Sequence, residues 1–473
     1  MPTNLSIDAL PESTPFEVTI DDYGYTGEGF VRLEDGWLSV RGAMPGERVR
    51  VELEPGQPAR TRRKFARVVQ LLRPHPERRD ALCDWDAHCR GCQLRHVSIS
   101  EEVAYKARTI REVITKFAGV APEDQPEIEL ISPAPIMRAD AWRIRSDVTY
   151  KRTSTSSFEL GLVVPGADQL IPMSSCPALS VPPRRLLAQV EAAIERAGAR
   201  DVLPHDASSP QAAQIALRSL RVAAPAHGRG FVELRTGARG EQAPGIQAIL
   251  EEFDDSLPAN IGVFVDRGGK FDDENDAYLH WRGPDRMRIM LGGMTLQVDP
   301  RDWFHAALEP ADMLYEEVER LLDIGEDERF LDVGCGVGTL SLMAAKRGAR
   351  SLGIDYNRAS ISTARLNAEE MGLEHAEFMA GSWEAALKKL LMRGERFDVA
   401  TINPMREPLG QRAIACINNL GVERLAYLGP SPASAARDLG ELRERGWRLD
   451  YLGAAMLHLA TYHVMLVAVC SRR

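Results

Sequence analysis

The chain has 473 residues, a formal net charge of −10, 44% hydrophobic and 27% charged residues. That length exceeds one hydrophobic core and predicts two to four domains in an ordinary soluble globular protein. The acidic total argues against a general nucleic-acid binder.

The charge is uneven. Arg41 to Arg79 holds eleven Lys or Arg against four Glu, a local +7, which leaves about −17 for the rest of a chain at −10 overall. A basic stripe on an acidic body steers a polyanion to one place, whereas a solvated barrel face would need no partner. The first residues, MPTNLSIDALPESTPF, lack a basic stretch and an apolar run, so no secretory signal is expected. The apolar stretch AAMLHLATYHVMLVAVC (454–470) is broken by two His and a Tyr, and reads as strands rather than a membrane span. Seven cysteines, an odd number, fit ligand thiols in a reducing compartment better than a disulfide framework, so the cytoplasm is the expected location.

In chain order, residues 15–72 carry short alternating strands broken by Gly24, Gly27, Gly29, Gly36, Gly42 and Pro45-Gly46. They predict a five-strand barrel of the oligonucleotide-binding kind, closed by RTRRKFARVVQLL. A helix follows over 97–118, opened by a Ser cap and Glu101-Glu102, with Val103, Ile110, Val113, Ile114 and Phe117 on its apolar side. Residues 125–290 mix strand-like pieces (WRIRSDVTYKR, FELGLVVPG, IGVFVDR) with one Ala-rich helix, PPRRLLAQVEAAIERAG. From about 290, strands RFLDVG, RSLGIDY, AEFMAG, RFDVATINP, ERLAYLGPS and RLDYLGAAML alternate with helices and end in HVMLVAVC. That alternation predicts an α/β doubly wound sheet. The resulting division is 1–74, a β-barrel; 75–290, a central α+β domain; and 291–473, a Rossmann-like domain.

Within the last domain, LDVGCGVGTLSLMAAKRG (331–348) reads as strand, Gly-rich turn and helix. Gly334, Gly336 and Gly338 let backbone approach a ligand, and Asp355 ends the next strand, where a carboxylate can hold two ribose hydroxyls. The spacing is G-x-G-x-G, one residue shorter than a dinucleotide fingerprint, and Asp332 precedes it. Both features resemble the S-adenosylmethionine (SAM) loop of class I methyltransferases, though a tight strand–helix turn alone would also look this way.

Cys83, Cys89 and Cys92 fall within ten residues. Thiolates select zinc or iron–sulfur clusters, and Cys176 in IPMSSCPAL is the best fourth ligand. Zinc sites favour two ligand couples, and one couple with two singletons fits a [4Fe–4S] cluster better.

Nearly end to end, and weakly over 185–285, the chain resembles the iron–sulfur RNA uridine-5-methyltransferases. The resemblance rests on a TRAM-like barrel, CRGCQLRH, Lys106 and its helix, Cys176 before Pro-x-Leu, WRIRSDV, the glycine loop with Asp355, NAEEMGL, TINPMREPLG, AYLGPSPASAARD and TYHVM. It implies a class I SAM-methyltransferase domain, an N-terminal TRAM barrel and a central iron–sulfur domain. It also implies ribosomal or transfer RNA as partner through the Arg41–Arg79 stripe, no membrane, a monomer, and a structural cluster. Expected SAM contacts are Asp332, Gly334, Gly336, Gly338, Asp355, Ser382, Asn403 and His305.

The reacting atoms depart from that family. Making 5-methyluridine requires a thiolate to add to C6, and a base to remove the C5 proton afterwards. The family's nucleophile stretch Ser-Cys-Asn-Pro-Ala-Thr reads Gly429-Pro430-Ser431-Pro432-Ala433-Ser434 here, framed by Tyr427 and Arg437-Asp438. Pro430 takes the cysteine position. The base position in Thr-x-His-Val-Glu is Met465. Asp-Pro-Pro-Arg becomes Asn403-Pro404-Met405-Arg406, and the Gln of Phe-x-Gln-x-Asn becomes His305, with Ala307 in place of the Asn. An aromatic and an Asn of the loop become Gly334 and Thr339. Three readings result: an RNA-binding pseudo-enzyme that still holds SAM; an active methyltransferase, at uridine C5 or at another target such as an exocyclic amine near Asn403-Pro404; and a small-molecule methyltransferase, which would leave the barrel without a task.

Overall fold

The structure is a computed structural model of the chain. It describes residues 6–11, 14–57, 61–80, 83, 89, 91–131, 142–152, 158–163, 170–198, 217–226, 228–268 and 278–472. The chain forms two compact units: one of residues 1–110, 163–171 and 458–464, the other of 111–162, 172–457 and 465–473.

The first unit contains a six-stranded sheet. Its strands are β1 (Phe16–Thr19), β2 (Asp22–Tyr23), β3 (Gly29–Arg32), β4 (Trp37–Arg41), β5 (Arg48–Leu53) and β6 (Arg63–Arg73), in the order β1-β5-β6-β4-β3-β2. Five strands were expected. The sixth is the two-residue β2, split from β3 by the Gly24–Gly27 turn, where the Gly27 N–H bonds the Gly24 carbonyl and Gly27 has φ +81°. Alternation buries Val18, Leu38, Val40, Val49, Val51 and Ala66 in one core.

The register also pairs much of the basic stripe. Arg48 and Arg50 both bind Glu17, while Arg41 pairs with Glu54, Arg63 with Glu28, Arg67 with Glu52, and Arg78 with fully buried Glu47. Six of the eleven cations are thus answered by glutamates of this same N-terminal region, and Lys64 is buried. Arg60 lies outside the described residues.

The predicted helix is α1 (Ile99–Val113), continued by a π turn over Ile114–Ala118 and stopped at Gly119, φ +66°. Ser98 caps it by accepting the Glu101 N–H at 3.2 Å. Inside the first unit, Lys106 and Glu102 of α1 form a fully buried ion pair at 2.6 Å. Lys106 Nζ also donates to the His458 carbonyl at 3.0 Å, and Glu102 accepts the Ala460 N–H at 3.0 and 3.1 Å. One turn of helix therefore holds the 458–464 segment.

The second unit has two sheets and a hairpin. β7 (Ile128–Ile131) opens it. A central sheet then carries β8 (Arg145–Arg152), β9 (Phe158–Val163), β10 (Leu217–Ala223), β11 (Gly230–Thr236), β12 (Ile261–Asp266) and β13 (Tyr278–Arg282), running β9-β8-β10-β11-β12-β13. Helices α2 (Val181–Ala197) and α3 (Pro244–Ser256) cover its apolar face through Leu187, Val190, Ile249 and Phe253 against Leu220, Val222 and Val232. A hairpin follows, β14 (Met287–Leu291) with β15 (Met294–Val298).

After helix α4 (Leu308–Leu322) come β16 (Arg329–Val333), α5 (Thr339–Lys346), β17 (Arg350–Asp355), α6 (Arg358–Met371), β18 (Ala376–Ala380), α7 (Trp383–Met392), β19 (Val399–Ile402), α8 (Gln411–Asn419), β20 (Arg424–Gly429), α9 (Pro432–Glu444), β21 (Trp447–Ala455) and β22 (Met465–Arg472). The eight-stranded order is β18-β17-β16-β19-β20-β22-β21-β7, parallel except that β22 runs antiparallel to both neighbours. The chain reverses direction across the sheet at β16, so the loops after β16 and β19 flank one crevice. Among the described residues no helix is long and apolar enough to cross a membrane.

The α1 pair yields the first prediction. Lys106→Met strands the Glu102 carboxylate in the interior and is expected to cost about 3–5 kcal/mol of unfolding free energy. Glu102→Gln combined with Lys106→Met is expected to recover part of it. Urea midpoints of the three proteins check this.

Candidate SAM and RNA-modification site

The glycine loop is built from beneath. Asp332, at the end of β16, is buried; its Oδ1 accepts the Thr401 hydroxyl at 2.8 Å, and its Oδ2 accepts the Ser341 hydroxyl at 2.8 Å and N–H at 3.2 Å. The carboxylate thereby joins β16, β19 and α5. The sequence reading gives Asp332 a ligand contact; the structure turns it inward, beneath the loop. Burial lifts its pKa to about 6, against the pull of those donors.

Above it, Gly334 (φ +85°) lies so close to the β19 loop that a Cβ would stand 2.2 Å from the Asn403 carbonyl oxygen. Gly338 (φ +90°) abuts the Phe378 ring. At Gly336 (φ +53°) a Cβ would meet nothing within 4 Å, so this is the backbone that a ligand can approach. Gly334 and Cys335 donate to the Ile354 carbonyl at 2.8 and 3.1 Å, which seats the loop on β17. Asp355 ends that strand: one carboxylate oxygen accepts the Gly336 N–H at 3.0 Å, the other the Asn357 N–H at 2.8 Å. Further lone pairs remain for hydroxyls. Burial raises its pKa.

Ser382 caps α7 and is exposed; its Oγ accepts the Ala385 N–H at 3.4 Å. Asn403 donates its backbone N–H to Val333 at 2.8 Å. His305 is buried, with Nε2 3.0 Å from the Tyr315 hydroxyl and its ring edge-on to Trp303. Burial, helped by the charge of Arg145, takes its pKa down to about 3, so it is a neutral imidazole. Two aromatic residues escaped sequence reasoning. Tyr356 (53% exposed) and Trp383 have ring centroids 6.3 Å apart at 90°, directly after Asp355 and Ser382. Position at the C-terminal ends of parallel strands was the available signal.

Pro430 follows β20 and Ser431 opens α9. The frame there is tight. The Tyr427 hydroxyl donates to Asp438 Oδ2 at 2.5 Å, and Asp438 accepts the Leu409 and Gly410 N–H groups at 2.6 and 3.1 Å. Ser431 Oγ donates to Ser434 Oγ at 3.1 Å, which donates to the Arg406 carbonyl at 2.8 Å. That relay ends on a carbonyl, not on a base. Met465 begins β22 opposite Ala455 and is buried in the apolar core with Leu428 and Val467. Burial raises the thiol pKa of Cys335, Cys416 and Cys470, so none is an activated nucleophile.

Cys83, Cys89 and Cys92, in the first unit, and Cys176, in the second, are half-buried. The Gly91 N–H donates to Cys89 Sγ at 3.4 Å, the contact a thiolate ligand favours. Residues 84–88 and 90 lie outside the described residues. Among the described residues no group of three or more His, Cys, Asp or Glu stands ready for a single metal ion.

A methyltransferase-domain family model matches residues 324–428, from the end of α4 through β20. A protein of Gloeobacter violaceus named an uncharacterized RNA methyltransferase is 27% identical over 98% of both chains. The 23S rRNA (uracil(1939)-C(5))-methyltransferase of Shewanella denitrificans is 24% identical over 97% of this chain and 96% of its own. The crystal structure of the tRNA (uracil-54, C5)-methyltransferase of Pyrococcus abyssi, in complex with S-adenosyl-L-homocysteine, superposes with a TM-score of 0.69 at 20% identity, covering 96% of this chain and 99% of that one. Over nearly its whole length the chain is similar to proteins named RNA methyltransferases, and it shares the fold of the Pyrococcus enzyme.

Its C-terminal fold is therefore the class I methyltransferase fold, and the glycine loop stands where β16 meets α5 in that fold. A prediction tests the carboxylate beneath the loop. The folded state holds the Asp332 proton to about pH 6, above the unfolded value near 3.8, so this group favours folding at low pH and loses that contribution as pH rises toward 6. The stability of Asp332→Asn relative to the unsubstituted protein is therefore expected to shift in the variant's favour, by on the order of 2 kcal/mol, between pH 4 and pH 7. Urea unfolding across that range measures it.

Proposed function

We propose that this protein binds RNA and SAM as its relatives do but cannot form 5-methyluridine. One observation carries the reading: Pro430 and Met465 stand where the family resemblance puts the nucleophile and the base. Proline offers neither a nucleophile nor an N–H, and Met465 is packed in an apolar core. C5 of uracil becomes nucleophilic only after a thiolate adds to C6, and the enzyme is released only after a base removes the C5 proton. Both steps lack their group, and Ser431 has no base in its hydrogen-bond relay. The retained parts support ligand binding: the open Gly336, the Asp355 carboxylate, and the exposed Tyr356 face. The Shewanella relative's named substrate supports an RNA target; the reading has a cytoplasmic monomer meet ribosomal or transfer RNA through a TRAM-like barrel.

Cys83, Cys89, Cys92 and Cys176 would hold a [4Fe–4S] cluster, whose contribution when bound is structural cross-linking of loop-rich chain. Four cysteine sulfurs and the amide that donates to Cys89 Sγ fit that donor set. Anaerobically purified protein is expected to carry about four iron and four sulfide per chain, and Cys92→Ser to lose most of both on chemical assay.

A second reading rests on Asn403. Among the described residues its side-chain amide has no hydrogen-bond partner, and it lies beside the glycine loop. An exocyclic amine already has a lone pair and needs no thiolate. Incubating the protein with methyl-labelled SAM and RNA lacking 5-methyluridine separates the readings. No labelled nucleoside is the expected result; label in a methylated amine supports the Asn403 reading; label in 5-methyluridine overturns the proposal.

A further inference from the structure

The central sheet has a second face, opposite the one that α2 and α3 cover. Alternation and register put Arg145 and Asp147 of β8, Arg221 of β10, and Glu233 and Arg235 of β11 on it. Three cations therefore share two carboxylates, and both carboxylates are taken. Asp147 Oδ1 accepts Arg221 Nε at 2.9 Å and Arg235 NH1 at 3.0 Å. Glu233 accepts Arg235 Nε at 2.7 Å and the Tyr278 hydroxyl at 2.9 Å.

Arg145 is the cation left over. Among the described residues its guanidinium has no hydrogen bond and no ion pair; it lies over the Phe304 ring at 4.8 Å. Burial, together with repulsion from Arg221, Arg143 and Arg235 and against the attraction of Asp147, brings its pKa down to about 10. A half-buried guanidinium with no carboxylate in direct contact is costly unless a ligand supplies one. Its surroundings tie it to the candidate site. The Ile144 N–H, one residue before it, donates to the Ala306 carbonyl at 2.8 Å, so the segment carrying Phe304 and His305 runs alongside β8. Its positive charge also helps keep His305 neutral.

We propose that Arg145 is the oxyanion receptor of this site, taking a carboxylate or phosphate through its planar fork of donors. The proposal rests on the binding function above and names the group that meets the ligand's negative charge. Two ligands of that function carry such an oxyanion: the carboxylate of the SAM amino-acid moiety and the phosphodiester of RNA. Either one is matched bidentately by arginine and less well by lysine.

The full-length protein, Arg145→Gln and Arg145→Lys would be titrated with S-adenosylhomocysteine, with 5′-methylthioadenosine, which lacks the amino-acid part, and with a uridine-loop RNA hairpin. Arg145→Gln is expected to weaken S-adenosylhomocysteine or RNA at least tenfold, with Arg145→Lys between it and the unsubstituted protein. Loss for S-adenosylhomocysteine with methylthioadenosine unchanged assigns the carboxylate. Loss for RNA, with the slope of log K against log salt reduced by about one, assigns the phosphate. A folded Arg145→Gln protein that binds all three ligands unchanged overturns the proposal, as does an equal loss for methylthioadenosine. If the unsubstituted protein binds neither S-adenosylhomocysteine nor RNA, the binding function itself fails, and pyrophosphate then decides Arg145. Thermal protection by pyrophosphate that Arg145→Gln abolishes sustains the receptor; absence of protection in the unsubstituted protein overturns it. Should Arg145→Gln not fold, Arg145→Lys decides: a loss of affinity sustains the proposal and full affinity overturns it.

Discussion

The candidate site depends on one buried carboxylate. Asp332 draws the Thr401 hydroxyl, the Ser341 hydroxyl and the Ser341 amide onto two oxygens, and so joins two adjacent parallel strands to the helix between them in sequence. A charge at that depth is tolerable only because three donors surround it. With β16, β19 and α5 fixed, the left-handed backbone of the glycines is imposed rather than sampled. The loop then leaves Gly336 open to a ligand while Gly334 is pressed against the Asn403 carbonyl. The frame is thus rigid where backbone must come close to a small molecule, and this rigidity does not require any catalytic side chain.

On the proposed reading, that separation lets a chain keep a methyltransferase frame without the groups that react. The turn around Pro430 is held by Tyr427 and Asp438, which bonds the Leu409 and Gly410 amides from another loop. Proline at 430 and again at 432 costs that turn little, since a helix N-terminus leaves its first amides without intrahelical partners. Met465 is accommodated by the apolar core between β20 and β21. Both residues therefore suit folding, and on the proposed reading neither supplies the reacting group.

Much of this was legible in the sequence, for reasons of local physics. Strand–helix alternation, the glycine spacing and the position of Asp355 follow from period and backbone freedom, and the sheet has them. The Ser cap of the long helix was readable because capping is a local signal. What was not legible depended on distant pairing. Asp332 looked like a ligand group because its partner Thr401 is 69 residues away. The Arg41–Arg79 stripe looked like free positive charge because cross-strand register, not composition, brings Glu17, Glu28, Glu52 and Glu54 to its arginines. The sixth strand of the N-terminal sheet was missed because two residues carry no periodicity. Arg145 drew no notice for the opposite reason: its excess of charge exists only once Asp147 and Glu233 are seen to be occupied.

The central claim is that no group of this protein adds covalently to uracil C6. RNA containing 5-fluorouridine tests it most directly, because fluorine at C5 blocks the final proton removal and any C6 adduct accumulates after methyl transfer. With SAM present, the account predicts no protein–RNA species that survives denaturing electrophoresis, even where native electrophoresis shows the RNA bound. A stable adduct, mapped by peptide mass to Ser431 or to any cysteine, would contradict it.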